Sequence, residues 1–352
     1  MRKALLLALT LTVTLPLHAD DGAASIAAGG IVLMKREPRI TMAKEVLQIS
    51  PSKVIVDYDF RNDSDQAITT EVAFPVPAYT FGEDNTVFGD PAFKNFKLSM
   101  DNQPARYSLE VRAYVNHRDI TALLAREHIN AATFGHWDAQ VHDYAQEAPD
   151  FHRASHTSRQ KLIAAGAFKD GEPMWRVEKK YHWTQTFPAH STIHIRHEYT
   201  PVLGGTNSVL YGLEAERLPK TQRTDDSKEI AAEIQSLCLE PSLNKSLLDL
   251  SHRSDMSIPF NYVDFILTTA NTWKTPIEDF TLIVDRPAPN KSTVSKKPES
   301  PRQNETLVSF CWNGPIKKTD STHFTAHATN FIPTKELRIG FIYANQTDPQ
   351  TF

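Results

Sequence analysis

Short runs in which apolar and polar residues alternate limit this chain to a fold made mostly of β-strands. Val54, Val56, Tyr58 and Phe60 would share one face of a strand, because successive side chains of a strand point to opposite faces. Proline is abundant, with 22 residues, and glycine is scarce, with 13 in a chain of 352. This composition favours extended segments separated by many turns. The sequence therefore predicts a mainly β, sandwich-like fold.

Two pairs of strands are predicted in the first part of the chain. Val54–Phe60 and Ile68–Phe74 flank the turn-forming residues Asn62–Asp65, which predicts a β-hairpin. Phe93–Met100 and Tyr107–Val115 form a second predicted pair. Further strands are predicted at Trp175–Phe187, Ser191–Tyr199, Tyr262–Leu267, Phe280–Val284, Thr306–Trp312, His323–His327 and Glu336–Tyr343.

Three segments have helical spacing instead. Ile120–Ile129 and Ser158–Ala165 predict helices on either side of the histidine-rich stretch 136–156, and Asp225–Leu237 predicts one further helix. The whole is α+β: two β regions with a helical insertion. The predicted order is a signal peptide at 1–19, an N-terminal β region at 20–115, a helical, histidine-rich insertion at 116–170, strands completing the first β region at 171–215, a helix and linker at 216–257, and a C-terminal β region at 258–352 with a long loop at 286–304.

The first residues have the pattern of a cleavable secretory signal. Arg2 and Lys3 precede an apolar stretch from Ala4 to Leu17, and Ala19 is the small residue expected before a cut. The stretch is short for a membrane span, and no later segment is apolar enough to be one. We therefore expect cleavage after Ala19 and a protein of the periplasm or the external medium.

The chain has two cysteines, Cys238 and Cys311. In a reducing compartment they would be ordinary buried thiols. In an exported chain an even pair favours a disulfide between them.

Several stretches together resemble a known family in their order along the chain. They are Ala27–Ile31, Val56–Asp65, Val72–Pro77, Trp183–Ala189, His197–Pro201, Ile266–Trp273, Pro276–Phe280 and Ser309–Trp312. This order is similar to that of the bacterial exported family called domain of unknown function 4424. The resemblance implies a β-rich protein of the envelope or the medium, and it implies no active-site residue.

No catalytic, cofactor-binding or metal-binding residue is predicted. The nucleophile motif Gly-x-Ser-x-Gly, the zinc motif His-Glu-x-x-His and glycine-rich phosphate loops are missing from the sequence. His190, His194 and His197 lie close together, but alternation puts His194 and His197 on opposite faces of a strand, whereas zinc needs three or four convergent ligands. His197 is expected to face the core and to bond through a ring nitrogen.

Trp183, His197 and Trp273 are candidates for lining a groove that binds a ligand. The alternative is that strand tryptophans pack between the layers of a sandwich. The favoured function is a binding or structural protein of the bacterial envelope, without a cofactor, that contacts a protein or a glycan. The alternative is a hydrolase whose site is assembled from residues distant in sequence.

Charge argues against one class of partner. The 38 basic and 42 acidic residues nearly balance, and no basic run provides a nucleic-acid footprint.

The predicted signal leads to a direct test. Protein recovered from the periplasm or the medium should begin at Asp20, because the signal peptidase cuts after Ala19. Intact-mass measurement checks this, with protein made in the cytoplasm without export as the control. An exported mass that still includes Met1 to Leu17 would contradict a cleaved signal.

Overall fold

Strands make up most of the regular structure. A computed structural model of the chain describes residues 28–29, 32–33, 37–80, 94–132, 149–206, 209–254, 258–274, 276–287 and 306–343. Within these residues the strands form one nine-stranded sheet, two five-stranded sheets and a two-stranded ribbon, accompanied by helices. The predicted mainly β fold with helices is confirmed.

The described residues contain 21 strands and six α-helices. The strands are β1 (Ala28–Gly29), β2 (Val32–Leu33), β3 (Glu37–Ile49), β4 (Val54–Asn62), β5 (Ile68–Tyr79), β6 (Lys94–Met100), β7 (Gln103–Pro104), β8 (Ser108–Val115), β9 (Arg118–Asp119), β10 (Phe168–Lys169), β11 (Glu172–Pro173), β12 (Arg176–Phe187), β13 (Ser191–Thr200), β14 (Gly204–Thr206), β15 (Phe260–Ile266), β16 (Trp273–Lys274), β17 (Ile277–Asp285), β18 (Thr306–Phe310), β19 (Ile316–Lys318), β20 (His323–Phe331) and β21 (Leu337–Tyr343). The helices are α1 (Thr121–Arg126), α2 (Pro149–Arg153), α3 (His156–Ala164), α4 (Val209–Arg217), α5 (Asp225–Ser236) and α6 (Pro241–Ser254), with 3-10 turns at Lys220–Gln222 and Leu267–Thr272.

The nine-stranded sheet forms one layer of the sandwich. Its order is β19-β20-β17-β3-β4-β13-β6-β7, with β16 beside β3. β3 runs parallel to β17 and antiparallel to β4, so strands from both predicted β regions share this sheet. Val54, Val56, Tyr58 and Phe60 are buried on one face of β4, as the alternation predicts.

The two five-stranded sheets lie over the buried face of the nine-stranded sheet. The first, β2-β5-β12-β8-β9, carries Phe74, whose ring lies 5.3 Å from that of Phe96 on β6. The second, β1-β15-β21-β18 with β14, carries Phe265, which belongs to the same continuous core as Leu282 of β17. β1 pairs with β15 and β2 pairs with β5, so the segment around residues 28–33 links the two covering sheets.

The predicted hairpin of β4 with β5 is wrong, because these strands lie in different sheets. β4 pairs with β3 and β13, whereas β5 pairs with β12 and β2. Asn62 stabilises the crossing, which is the segment where the chain passes from the sheet of β4 to the sheet of β5. Asn62 is buried, and its Nδ2 donates to the carbonyls of Gln66 at 2.8 Å and Phe187 at 2.9 Å. Its Oδ1 accepts the amide of Ser64 at 3.0 Å. The two strands therefore pack face to face instead of edge to edge.

The second predicted pair, β6 with β8, is wrong for the same reason. β6 turns back through Asp101 and Asn102, with φ of 46° and 64°, into the short strand β7. The chain then crosses to the first covering sheet, where β8 pairs with β12 and, through Asn116 and His117, with β9. Positive φ at both central residues is the mark of a two-residue hairpin turn.

Helices α4, α5 and α6 cover the outer face of the second covering sheet. Leu213, Ile234 and Leu247 form a second apolar cluster with Phe260 and Ile342 of that sheet. The α5 helix was predicted; α4 and α6 were not. Among the helices that the structure describes, none is long and apolar enough to cross a membrane.

Both predicted helices of the insertion are present, the first in shortened form. α1 spans six residues, and α3 begins after Ser155, whose side chain accepts the amide of Ser158. Most of the predicted loop 286–304, most of the histidine-rich stretch 136–156 and the signal segment lie outside the described residues.

The two cysteines meet where the helical layer reaches the sheet edge. The structure joins Cys238, just after α5, to Cys311, just after β18, with Cα atoms 5.1 Å apart and a sequence separation of 73. This Cα distance is within the range of about 4.4–6.8 Å that suits a disulfide. Beside the pair, Ser309 Oγ donates to the carbonyl of Leu237 at 2.8 Å. The link ties α5 to the end of β18.

Loss of this link should destabilise the fold. Cys238→Ser and Cys311→Ser are each expected to lower the melting temperature about as far as the double variant, because one cysteine cannot bond without the other. The chain-entropy model assigns about 4 kcal/mol to a closed loop of this length. Calorimetry measures the change, and reduced wild-type protein is the control that should match the variants. Two free thiols titrating in native, oxidised protein would contradict the disulfide.

Candidate functional site

The three candidate groove residues all lie inside the sandwich. Trp273 is buried, with its ring centroid 4.3 Å from that of Phe60 and 5.8 Å from that of Phe187. Trp183 of β12 is buried as well, and its indole nitrogen has no hydrogen-bond partner within the described residues. Neither tryptophan is presented to solvent, so their placement matches packing between layers.

His197 occupies the centre of an aromatic cluster. Its side chain is 0% exposed, and its ring centroid lies 4.7 Å from that of Phe74, 5.5 Å from Tyr58 and 5.8 Å from Phe96. The predicted core-facing position is correct, but the predicted hydrogen bond is wrong, because neither ring nitrogen has a partner in the described part of the chain. Burial lowers the pKa of His197 from 6.5 to about 3, so the ring is neutral at physiological pH.

The neighbouring histidines face the other way. His194 lies on the outer face of the nine-stranded sheet, with Nδ1 2.9 Å from Asp59 and Nε2 3.1 Å from Asp57. His190 contacts Asp65 at 2.8 Å in the turn before β13. Within the described ranges, no group of three or more His, Cys, Asp or Glu side chains is arranged to hold a metal ion.

Two more histidine–aspartate pairs lie on this outer face. His323 contacts Asp285 at 3.2 Å, and His327 contacts Asp279 at 3.0 Å. His323 donates a hydrogen bond from Nδ1 to the carboxylate of Asp320, which raises the pKa of His323. Both pairs join the neighbouring strands β17 and β20 on the surface of the sheet.

Glu45 is a second buried titratable group, which sequence reasoning missed. It lies on the core face of β3, beside Tyr58 of β4 and Phe280 of β17, and it is 2% exposed. Burial alone raises the pKa of its carboxyl from 4.5 to about 8, so the group keeps its proton at neutral pH. The sequence pattern does indicate this position, because Glu45, Leu47 and Ile49 occupy alternate positions and so share one face of a strand.

Above His197 the sandwich is closed by a stack of three aromatic rings. Phe96 of β6 and Tyr181 of β12 stack with centroids 4.2 Å apart and planes 9° from parallel. Tyr107 meets both edge-on, at 5.0 Å and 5.4 Å, and its hydroxyl donates to the Phe96 carbonyl at 2.9 Å. These rings span the gap between the nine-stranded sheet and the first covering sheet.

This side of the molecule also exposes large apolar side chains. Tyr107 is 38% exposed and Leu109, on β8, is 49% exposed. In β8 Leu109 stands directly opposite Tyr181 of β12, so the exposed side chain continues the aromatic stack outwards. We call the side of the sandwich at Phe96, Tyr107, Leu109 and Tyr181 the open side, because Tyr107 and Leu109 are exposed there above the two buried, stacked rings. It is the candidate site.

The family is shown by direct comparison. The family described as a domain of unknown function (DUF4424) matches residues 19–339. The chain belongs to this family. The predicted resemblance is thus confirmed, and the match leaves the activity of a DUF4424 chain open.

Other comparisons add little. No curated protein matches this DUF4424 chain in sequence. A solved structure from Legionella pneumophila subsp. pneumophila str. Philadelphia 1, described as a "putative nutrient binding protein", is similar with a TM-score of 0.44 and 13% identity, over 92% of this chain and 72% of that one.

Burial of Glu45 and of His197 should make the free energy of unfolding depend on pH in opposite directions. From pH 4.5 to 8 the unfolded chain releases the Glu45 proton that the folded chain keeps, so stability falls as pH rises. From pH 6.5 down to 3 the unfolded chain binds a proton at His197 that the folded chain excludes, so stability falls as pH drops. Each effect is on the order of 3–5 kcal/mol.

Paired variants test this. Glu45→Gln should reduce the loss of unfolding free energy above pH 6.5, and His197→Phe should reduce the loss below pH 4.5. In each variant, the pH range that the substitution should not affect is the control. Urea unfolding across pH 3.5–9 measures both. A pH profile of either variant that runs parallel to wild type would contradict the assignment for that residue.

Proposed function

We propose that this chain is an exported binding protein of the bacterial envelope, whose partner contacts the open side of the sandwich. Export is supported by the signal pattern that ends at Ala19 and by the disulfide-capable pair Cys238 and Cys311, which suits an oxidising compartment. The family match begins at residue 19, next to the proposed cleavage point.

One observation carries the binding role: Tyr107 and Leu109 are exposed side by side on an ordered aromatic stack. Exposed apolar surface is costly in water, and aromatic residues held rigidly at a surface are typical anchors of binding sites. Tyr107 is fixed by its hydrogen bond and two ring contacts, so little side-chain entropy would be lost on binding.

Crosslinking in living cells tests the proposal. A photo-crosslinking phenylalanine analogue in place of Leu109 should give a discrete adduct with an envelope component after illumination, because the partner covers this position. Ile316 is the matched control, since it is 44% exposed on another edge strand, β19. Illumination of the Ile316 replacement should give no adduct of that mass.

Two results would overturn the assignment. One is the lack of any adduct from position 109 in a variant that melts at the wild-type temperature. The other is an identical set of adducts from positions 109 and 316, which would indicate nonspecific contact.

A further inference from the structure

We propose that the partner at the open side is an extended polypeptide segment that adds to the edge of β8 as a further antiparallel strand. The segment would carry apolar residues at alternate positions and an acidic C-terminal end. This inference rests on the proposed binding function and specifies the chemistry of its partner.

The backbone of β8 leaves hydrogen-bonding groups free on its outer edge. Ala113 directs both its groups away from β12: its amide donates to Thr121 Oγ1 at 2.9 Å, and its carbonyl accepts from Ile120 at 2.9 Å. Residues two apart in a strand direct their backbone groups to the same side. The backbone N–H and C=O groups of Leu109 and Val111 therefore also point away from β12. No strand of the described chain pairs with them there, because β9 reaches only Tyr114 and Val115.

Side chains beside this edge suit alternate apolar residues. Leu109 and Val111 lie on the sandwich-facing side of β8, together with buried Ala113. A strand added outside β8 would place every second side chain over Leu109 and Tyr107, where it would cover apolar surface. Its intervening side chains would face solvent beside Glu110 and Arg112.

The edge of β8 differs from that of the nine-stranded sheet. β19 spans three residues and carries Lys317 and Lys318, a short charged edge of the kind that prevents strand addition. β18 also lacks an outer partner within the described residues, but none of its large apolar side chains is among the exposed ones. β8 alone of these edges combines free backbone groups with an exposed leucine.

Charge favours an acidic end on the partner. Glu110 is already paired with Arg112 at 2.6 Å and with Lys180 at 2.9 Å, and Arg112 also contacts Asp119 at 3.0 Å. These groups balance one another.

One exposed cation just before β8 has no such partner. The side chain of Arg106 makes no hydrogen bond or ion pair in the part of the chain that the structure describes. The strand pairs of the first covering sheet are antiparallel, and an added antiparallel strand would bring its C-terminal end to Arg106.

A second copy of this chain fits the edge poorly. Antiparallel pairing centred on Val111 would require the outward groups of Ala113, which Ile120 and Thr121 already occupy. Pairing centred on Glu110 would use Leu109 and Val111 well but would set Glu110 directly opposite its own copy, where like charges repel. A different polypeptide avoids both conflicts.

A peptide titration of the full mature chain tests strand addition. The probe is Thr-Val-Thr-Val-Thr-Asp-Asp with a free C-terminal carboxylate, followed by amide NMR and hydrogen exchange. We expect shifts and exchange slowed by at least about tenfold at the amides of Leu109 and Val111, because these donors become paired. N-methylation of the probe's inward-facing amides should weaken binding by about tenfold or more, since it removes the bonds and keeps the side chains.

Protein variants separate backbone pairing from charge. Val111→Pro removes an outward amide without breaking a bond to β12, so it should fold and lose the probe, whereas Val111→Thr should keep it. Arg106→Glu should weaken binding of the acidic probe by about fivefold and strengthen binding of a probe that ends in two lysines. Melting temperatures confirm folding of each variant.

The outcomes distinguish this inference from the function on which it rests. An adduct at position 109 in cells, together with an N-methylated probe that binds as well as the parent, would overturn strand addition and leave the binding function standing. Equal affinity of Val111→Pro and Val111→Thr, or protection of β18 amides instead of β8, would also overturn it. Failure of the probe to bind at millimolar concentration would overturn the stated partner chemistry.

Discussion

The buried side chain of Asn62 holds the crossing on which the rest of the sandwich depends. Its amide bonds two carbonyls, of Gln66 and Phe187, and its oxygen bonds the amide of Ser64. These bonds satisfy backbone groups where the chain leaves the nine-stranded sheet and enters the covering sheet, a place where unpaired groups would otherwise be buried at a cost of about 1–3 kcal/mol each. They also join the start of β5 to the end of β12, so the two central strands of the covering sheet are held to β4 at one point.

That crossing explains which parts of the fold the sequence could predict. Alternation in Val54–Phe60 correctly predicts the buried face of β4, because the side-chain period of a strand is local. It says nothing about the strand's neighbours, so β4 with β5 and β6 with β8 were both paired wrongly. A turn between two amphipathic strands is compatible with a hairpin and with a crossing between layers, and the difference here is made by contacts such as Asn62 with Phe187, which are 125 residues apart. Helix α6 was predictable, since Leu243 and Leu247 have helical spacing.

At the candidate site too, the sequence predicts which face of a strand a side chain occupies but not what that side chain contacts. The opposite orientations of His194 and His197 follow from alternation, and the structure places one beside two aspartates and the other among aromatic rings. Whether a buried ring nitrogen finds a partner depends on the facing sheet, which the sequence does not reveal. The exposure of Leu109 could not be predicted either, because it results from β9 being two residues long and leaving the rest of the β8 edge uncovered.

The unpaired groups in the core bear on where a partner can bind. Neither ring nitrogen of His197 has a partner in the described part of the chain, and unsatisfied buried polar groups of this kind destabilise by about 1–3 kcal/mol each. The aromatic packing around them must offset that cost, and a buried phenylalanine contributes about 1.5–3 kcal/mol. A ligand that entered the sandwich would have to separate Phe96 from Tyr181 and give up that packing before it gained a contact with His197. A segment that adds to the edge of β8 leaves the stack closed and uses Tyr107 and Leu109 as they already stand. The same packing that makes the interior costly to open therefore directs recognition to the edge.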